Sequence, residues 1–430
     1  MNNRRSFLRT SIGGSAALSL APLFATLQGC SRTPKVREGL NLVADKEGLC
    51  DLPAGFSYRV ISPYGDTMSD GHTVPGYQDG MGCFSAPDGG MILVRNHEIS
   101  LYFPTNPKSP VPELAYDPDS SGGTTTIWLD AELNIQKHYL SLTGTIRNCS
   151  GGKTPWDTWI TCEEAAGGPW EMGRRHGYAF EVDPTSPLRK AMPLTAMGRF
   201  NREAVAVHER TGVVYQTEDN PTGCLYRFIP QQAGKLAAGG RLQALALIDS
   251  PAHDTTKTPL EIGSKHACHW VDVDEPDPEE NNLRIQAREN GAAVFVRGEG
   301  IVANGDAIYF ACTDGGEQGL GQIFCFHPNE DGGELELVYE SSDASVIGNP
   351  DNLAVAPWGD LVVCEDSDLD VQCLAGVTAS GDVYHIAANT RSEWSGACFS
   401  PDGTVLFANI QDNPGMTVAI SGPWDTLRQT

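Results

Sequence analysis

One short pattern of apolar and polar positions recurs six times along the chain. Alternating apolar residues enter a Gly/Pro/Asp turn, a second apolar stretch returns, and the return ends in a polar, mostly acidic cluster. The clearest copy is residues 351–366 (DNLAVAPWGDLVVCED). Residues 203–218 (EAVAVHERTGVVYQTE), 299–314 (EGIVANGDAIYFACTD) and 396–411 (GACFSPDGTVLFANIQ) repeat it, and in all four the first and last residues are 15 apart. Looser copies span 79–98, turning at Pro87-Asp88-Gly89-Gly90, and 148–164, turning near Lys153-Thr154-Pro155.

Apolarity of period 2 around a central turn predicts a β-hairpin. A hairpin sets its two ends side by side, because paired antiparallel strands lie about 4.8 Å apart. Glu203 should therefore meet Glu218-Asp219, Glu299 should meet Thr313-Asp314, and Asp351 should meet Glu365-Asp366. Six hairpins with acids at their open ends suggest one ring of sheets with carboxylates pointing inward. Carboxylates that close repel one another and lose their water, so bound cations are expected among them.

Residues 40–430 read as one domain, since no linker-like segment separates the repeats. Residues 102–122 carry five prolines and form a loop or lid. Residues 124–142, 177–183, 224–230 and 415–420 are expected as outer strands. The acidic stretch 250–294 interrupts the repeat as an insertion, with a helix near 282–290.

The first 30 residues read as an address. Asn3-Arg4-Arg5-Ser6-Phe7-Leu8-Arg9 and the apolar run that follows form a twin-arginine signal peptide, which implies the twin-arginine export machinery as a partner and a periplasmic or extracellular location. Leu27-Gln28-Gly29-Cys30 resembles a lipobox, with Cys30 as a lipid anchor and the only membrane attachment; an ordinary cleavage site nearby is the alternative. No later segment has the roughly 18 apolar residues of a membrane span. Without residues 1–29, which hold three arginines and no acid, the formal charge falls from −25 to −28. Such a surface offers nucleic acid no basic patch.

Within the repeats, Cys162 stands beside Glu163 and Glu164. Acids raise a thiol's pKa, whereas a coordinating thiol is deprotonated outright, so Cys162 is read as a metal ligand, with a buried structural cysteine as the alternative. Cys325 and Cys398 alternate within strands and are expected in the core. Lys153 at the second turn and Arg297 beside Glu299 are candidates for holding an anion; Arg297 as a plain salt-bridge partner fits equally. Asp366, Asp368 and Asp370 suggest a Ca²⁺ loop or a solvated one, and His266 and His269 are better explained by a strand than by zinc. There is no G-x-x-x-x-G-K-[ST] or H-E-x-x-H. Carboxylates plus one thiolate suit Ca²⁺ or Fe³⁺ better than Zn²⁺.

The segments GYQDGMGCFSAPDGGMILVRNHE, NCSGGKTPWDTWITCEEA, GRFNREAVAVHERTGVVYQTEDN, VRGEGIVANGDAIYFACTDGG, NPDNLAVAPWGDLVVCEDS and EWSGACFSPDGTVLFANIQDNPG resemble the PhoX family of secreted bacterial alkaline phosphatases. The resemblance implies an all-β fold, a six-bladed β-propeller with loop insertions, that hydrolyses small-molecule phosphomonoesters at a centre holding Fe³⁺ and Ca²⁺. It implies Cys162, Glu203 and Glu299 as iron ligands. It implies Glu98, Glu164, Asp219, Glu365 and Asp366 for calcium, and Arg297, Lys153 and Cys162 as catalytic. Two positions depart from the family pattern: Asp157 stands where Gly is expected, and Arg202 stands where His is expected and alters the charge near the site.

Two other readings fit a ring of acids. A Ca²⁺-dependent lactonase or esterase propeller would need neither iron nor thiolate. A non-catalytic surface lipoprotein would use Ca²⁺ only to brace the ring.

Overall fold

The computed structural model describes residues 41–100, 108–167, 174–330, 332–412 and 414–429. The twin-arginine segment, Cys30 and part of the 102–122 loop lie outside the described residues. All described residues belong to one compact unit. No helix among them is long and apolar enough to cross a membrane.

All six hairpins form, in chain order. They are hairpin 1 (Gln78–Ser85, Met91–His97), hairpin 2 (Asn148–Lys153, Trp159–Glu163) and hairpin 3 (Arg202–Val207, Val214–Glu218). Hairpins 4 (Gly298–Asn304, Ala307–Cys312), 5 (Pro350–Val355, Leu361–Glu365) and 6 (Trp394–Phe399, Val405–Ile410) follow. Their ends meet as expected: Arg202 pairs with Glu218, Gly298 with Cys312, and Pro350 with Glu365.

Each hairpin is widened by outer strands. Gly122–Leu129 and Ile135–Thr145 extend hairpin 1, Ala179–Val182 extends hairpin 2, and Gln372–Val377 and Val383–Asn389 extend hairpin 5. Hairpin 6 is extended by Met416–Ser421 and then by Ser57–Pro63, so the earliest described strand completes the last sheet. Hairpins 3 and 4 do not form separate sheets. Strand Lys265–Asp272, from the insertion, pairs on one side with Gly240–Leu247 and on the other with Gly333–Glu340, fusing them into one nine-stranded sheet. The result is all-β, with five sheets in a propeller-like arrangement. The insertion also carries the expected helix α1 (Leu283–Glu289).

Period 2 explains the core. Successive residues of a strand point to opposite faces. Here both faces are buried, so each sheet feeds two apolar layers. Ala204 and Ala206 of hairpin 3 pack toward Phe310 and Phe324, while Val205 and Val207 pack toward Ile160 and Phe180's sheet through Ala179. Val362 and Cys364 of hairpin 5 face Leu406 and Ile420, while Leu361 and Val363 face Ile323. The last layer joins Val405, Phe407 and Ala419 to Met81, Leu93 and Ile127 of the first sheet, which closes the circle. The first strands of consecutive hairpins touch all the way round, including those of hairpins 6 and 1.

Several smaller expectations resolve within this frame. Cys325 is buried and Cys398 packs against the closing layer. The eleven described cysteines form no disulfide with one another. His266 and His269 lie on strand Lys265–Asp272. Asp157 adopts φ 60°, the left-handed region where the family pattern has Gly and where Asp is tolerated.

Candidate metal centre

Every hairpin is locked at its open end by the same rung. The N–H of the residue after the second strand donates to the carbonyl of the residue before the first. The pairs are Glu98 to Tyr77, Glu164 to Arg147, Asp219 to Asn201, Thr313 to Arg297, Asp366 to Asn349 and Gln411 to Glu393, at 2.9–3.1 Å. Four of these hinge residues, Tyr77, Arg147, Arg297 and Asn349, have φ between 47° and 52°. After the hinge the register slips. In all six hairpins the extra residue falls in the first strand, where three steps face two on the second. A bulge re-aims a side chain that pleating would send elsewhere. The residues two past the hinge are Asp79, Cys149, Glu203, Glu299, Asp351 and Ser395, all buried.

Neighbouring first strands approach closely there. A Cβ on Gly80 would meet Ser150 Cα at 2.5 Å, and one on Gly396 would meet the Asp79 carbonyl at 2.4 Å. Polar links cross the same gaps. The Gly396 N–H donates to Asn352 Oδ1 at 2.6 Å, and Asn96 Nδ2 donates to the Cys149 and Ser150 carbonyls at 3.1 and 2.8 Å.

Two groups of buried metal-binding atoms result. Cys149, Glu164 and Glu203 bring a sulfur and two carboxylate oxygens within 4.8 Å of one another, and Glu203, Glu299 and Asp351 do the same with three carboxylates. Glu203 belongs to both. The donor chemistry fits cations: three buried carboxylates this close favour a positive charge between them, and a thiolate with carboxylates is a coordinating set. Two candidate donor groups sharing one carboxylate would suit a pair of neighbouring ions.

The thiol in that set is Cys149, which corrects the expectation for Cys162. Cys162 shares a strand face with Ile160 and lies in the apolar layer with Ala179 and Phe200. Burial pushes its thiol pKa well up. Glu365 is corrected as well. Its oxygens accept the Gly348 N–H at 2.6 Å and the Cys373 N–H at 2.8 Å, tying hairpin 5 to its outer strand. Glu163 and Glu218 do the same work in their sheets: Glu163 accepts from Ile146, Gly177 and Tyr178 N–H groups, and Glu218 from Cys224 N–H and Tyr226 Oη. In each acidic pair the first residue braces the sheet and the second stands at the ring.

Lys153 is not brought to this centre. It ends its strand at the turn, about 13 Å along from Cys149 at 3.3 Å per residue. There its ammonium donates to the Cys83 carbonyl at 3.2 Å and lies over the Phe84 ring. Arg202 also points away, donating to Gln216 Oε1 and to the carbonyls of Gly177, Met197 and Gly198. Asp366 is buried at the rim, while Asp368 and Asp370 are exposed.

Arg297 is at the centre. Its Nε and Nη2 fork onto Asp219 at 2.8 and 3.1 Å, Nη2 also reaches Glu299 at 2.7 Å, and Nη1 lies 3.6 Å from Asp314. Burial disfavours its charge, but Asp219 and then Glu299 outweigh burial and hold its pKa well above the ordinary value. Arg147 occupies the matching hinge of hairpin 2, bonded to Glu164 at 2.6 Å and 3.3 Å from Glu98. Gln411 Nε2 joins Asp79 and Glu98 at 2.7 and 3.1 Å. Glu98, Asp219 and Asp366 belong to neither three-atom group.

Sequence reasoning missed Cys149, Asp351 and Arg147 as site residues. The signal for Cys149 was in the repeat spacing: counting back 15 residues from Glu164 lands on Cys149, the position that Glu203 and Asp351 occupy in their copies.

Residues 38–135 and 128–415 match the family described as alkaline phosphatase PhoX. The chain belongs to this family. The match takes in all six hinges and every residue of both donor groups. Among solved structures the chain is similar to Pseudomonas fluorescens PhoX in complex with vanadate, a transition state analogue. The TM-score is 0.68 and the identity 18%, over 87% of this chain and 96% of that one. A gluconolactonase of Xanthomonas campestris is similar at TM-score 0.45 and 10% identity, over 86% of this chain and 98% of that one. No curated protein matches in sequence.

Proposed function

We propose that this PhoX-family protein is a metal-dependent alkaline phosphatase that releases inorganic phosphate from phosphomonoesters. The observation that carries this reading is the sharing of Glu203 between two buried donor groups with Arg297 held against one of them. The similar Pseudomonas fluorescens protein binds vanadate, a transition state analogue, which supports the same use of the fold here.

Cys149, Glu164 and Glu203 would hold one ion, and Glu203, Glu299 and Asp351 its neighbour. Fe³⁺ suits the groups that share Glu203; Ca²⁺ suits the oxygen-rich rim of Glu98, Asp79 and Asp366. When bound, such ions supply Lewis-acid stabilisation of phosphoryl oxygens and an activated nucleophile. The chain supplies the rest. Arg297 keeps its charge and offers Nη1, the guanidinium nitrogen not bonded to Asp219 or Glu299, to the developing negative charge on the equatorial oxygens. Asp219 fixes the orientation of the guanidinium through its other edge. The rungs and tight strand contacts hold the ligands so that little reorganisation is needed.

In this reading the nine-stranded sheet counts as two blades bridged by Lys265–Asp272, giving a six-bladed propeller. Residues 1–30 act as a twin-arginine export signal, Cys30 takes a lipid anchor, and the protein works in the periplasm or outside the cell.

The test is elemental analysis of the exported protein together with hydrolysis of a chromogenic phosphomonoester, with and without chelator. Stoichiometric iron with chelator-sensitive phosphate release is expected. Calcium alone with no phosphate release would overturn the reading.

A further inference from the structure

Arg95 lies in the second strand of hairpin 1 and is fully buried. It reaches across the seam where the last sheet meets the first. Nη1 donates to Thr417 Oγ1 at 2.7 Å and to the Ser62 carbonyl at 3.3 Å, and Nη2 to Thr125 Oγ1 at 3.3 Å. These partners are all neutral, and no carboxylate among the described residues forms a salt bridge with it. A buried charge is ordinarily paired, because removing it from water costs several kcal/mol.

The edge of the guanidinium that usually takes an anion is the one left short. Arg297 uses its Nε/Nη2 edge to hold Asp219 at two points. On Arg95 the same edge has only the Thr125 hydroxyl on Nη2, and Nε donates to nothing. Two further buried polar atoms nearby lack partners: Ser62 Oγ, on the residue whose carbonyl Arg95 binds, and His138 Nε2. His97 supplies no negative charge, because an imidazole is neutral or cationic, and its ring nitrogens are already engaged by the Gly76 carbonyl and Thr125 Oγ1. Burial with no opposing acid pushes the Arg95 pKa down to about 9. A water would fill a hydrogen bond but leave the charge unbalanced.

We propose that the Nε/Nη2 edge of Arg95 binds a small monovalent anion of the halide class, in the seam between hairpin 6's sheet and hairpin 1's. The anion matches one guanidinium and takes up the idle Nε–H and Ser62 hydroxyl. Arg95 holds both Ser62 of strand Ser57–Pro63 and Thr417 of strand Met416–Ser421, so the anion braces the closure of the ring. The site is separate from the donor groups and does not depend on the phosphatase reading.

Crystals of the metal-loaded wild-type protein grown with bromide give the direct test. A bromine anomalous peak within hydrogen-bond reach of Arg95 Nε is expected. In solution, millimolar chloride should raise the Tm by about 2–4 °C over gluconate at equal ionic strength and calcium, and Arg95→Met should abolish that difference. A water or no peak beside Nε would overturn the proposal. So would a peak at crystal concentration with no Tm response to chloride in the wild type, or an undiminished response in Arg95→Met. If Arg95→Met does not fold, the two wild-type measurements decide.

Discussion

Arg297 grips Asp219 through a two-point fork, Nε to Oδ1 at 2.8 Å and Nη2 to Oδ2 at 3.1 Å, although 78 residues separate them. The hinge of hairpin 4 is thereby locked to the end of hairpin 3, and the guanidinium is aimed before any substrate arrives. Lysine keeps the charge but loses the planar two-point geometry. Arg297→Lys should lower kcat/KM for a phosphomonoester by roughly 10²-fold with metal content unchanged. Asp219→Asn should give a smaller loss in the same parameter. Steady-state kinetics with parallel elemental analysis checks both.

The two cysteines of hairpin 2 should behave in opposite ways. Cys149 contributes its sulfur to a donor group; Cys162 contributes volume to a packed layer. Cys149→Ala should lose metal and more than about 100-fold in activity. Cys162→Ala should cost about 1–2 kcal/mol of stability and leave metal and kcat in place. Metal retained in Cys149→Ala would count against the assignment.

The hairpins were legible in the sequence because their buried strands left short apolar stretches on both sides of a turn in every copy. The ring was legible because the acids fall at the open ends. What was not legible was which residue of each end points inward. Cys149 and Cys162 are both small, buried and at the same end of one hairpin; only the slip after Asn148 turns the first toward Glu203 while pleating keeps the second beside Ile160. Glu365 looked like a ligand because it neighbours Asp366, but a strand alternates, and one of two adjacent acids must face its own sheet. A strand was legible at His266–His269, but the fusion of hairpins 3 and 4 was not, because alternation marks a strand without naming the two strands, Gly240–Leu247 and Gly333–Glu340, that it pairs with.

Lys153 shows that a hairpin has two ends. It follows a Gly-rich stretch that approaches the centre, yet it stands at the turn, half exposed and occupied by Cys83 and Phe84. Lys153→Met should leave kcat and KM within about twofold of wild type, as surface changes away from special features usually do. A large rise in KM would return Lys153 to the site.

His176 gives the fold a pH dependence. It lies between Glu163 Oε1 at 2.7 Å and Asp117 Oδ2 at 3.4 Å, fully buried. Burial alone would lower its pKa, but Glu163 and Asp117 outweigh burial and push it up to about 9. The charged form is thus favoured in the folded chain relative to an unfolded value near 6.5. Its stabilisation is fully present below about pH 6.5, declines between 6.5 and 9, and is lost above. The Tm of the wild type should fall across that window, and His176→Asn, destabilised at neutral pH, should fall less. Parallel Tm profiles would refute the role.

Gly300 tests whether the closeness of the strands sets the geometry of the ligands. It follows Glu299, and a Cβ there would sit 2.5 Å from both the Asp351 carbonyl and the Leu353 nitrogen, on the next hairpin's backbone. Backbone cannot move aside as a side chain can, so Gly300→Ala must push hairpins 4 and 5 apart. Overpacking of this kind costs about 1–3 kcal/mol. The displacement falls between Glu299 and Asp351, which share a donor group, so metal content should drop along with the Tm. Gly305 provides the control. It lies at the turn of the same hairpin with φ 61°, a Cβ added there would meet nothing within 4 Å, and Asn tolerates that backbone. Gly305→Asn should keep both metal and activity. Equal metal loss in the two variants would mean that the centre answers to general stability and not to the spacing of these two strands.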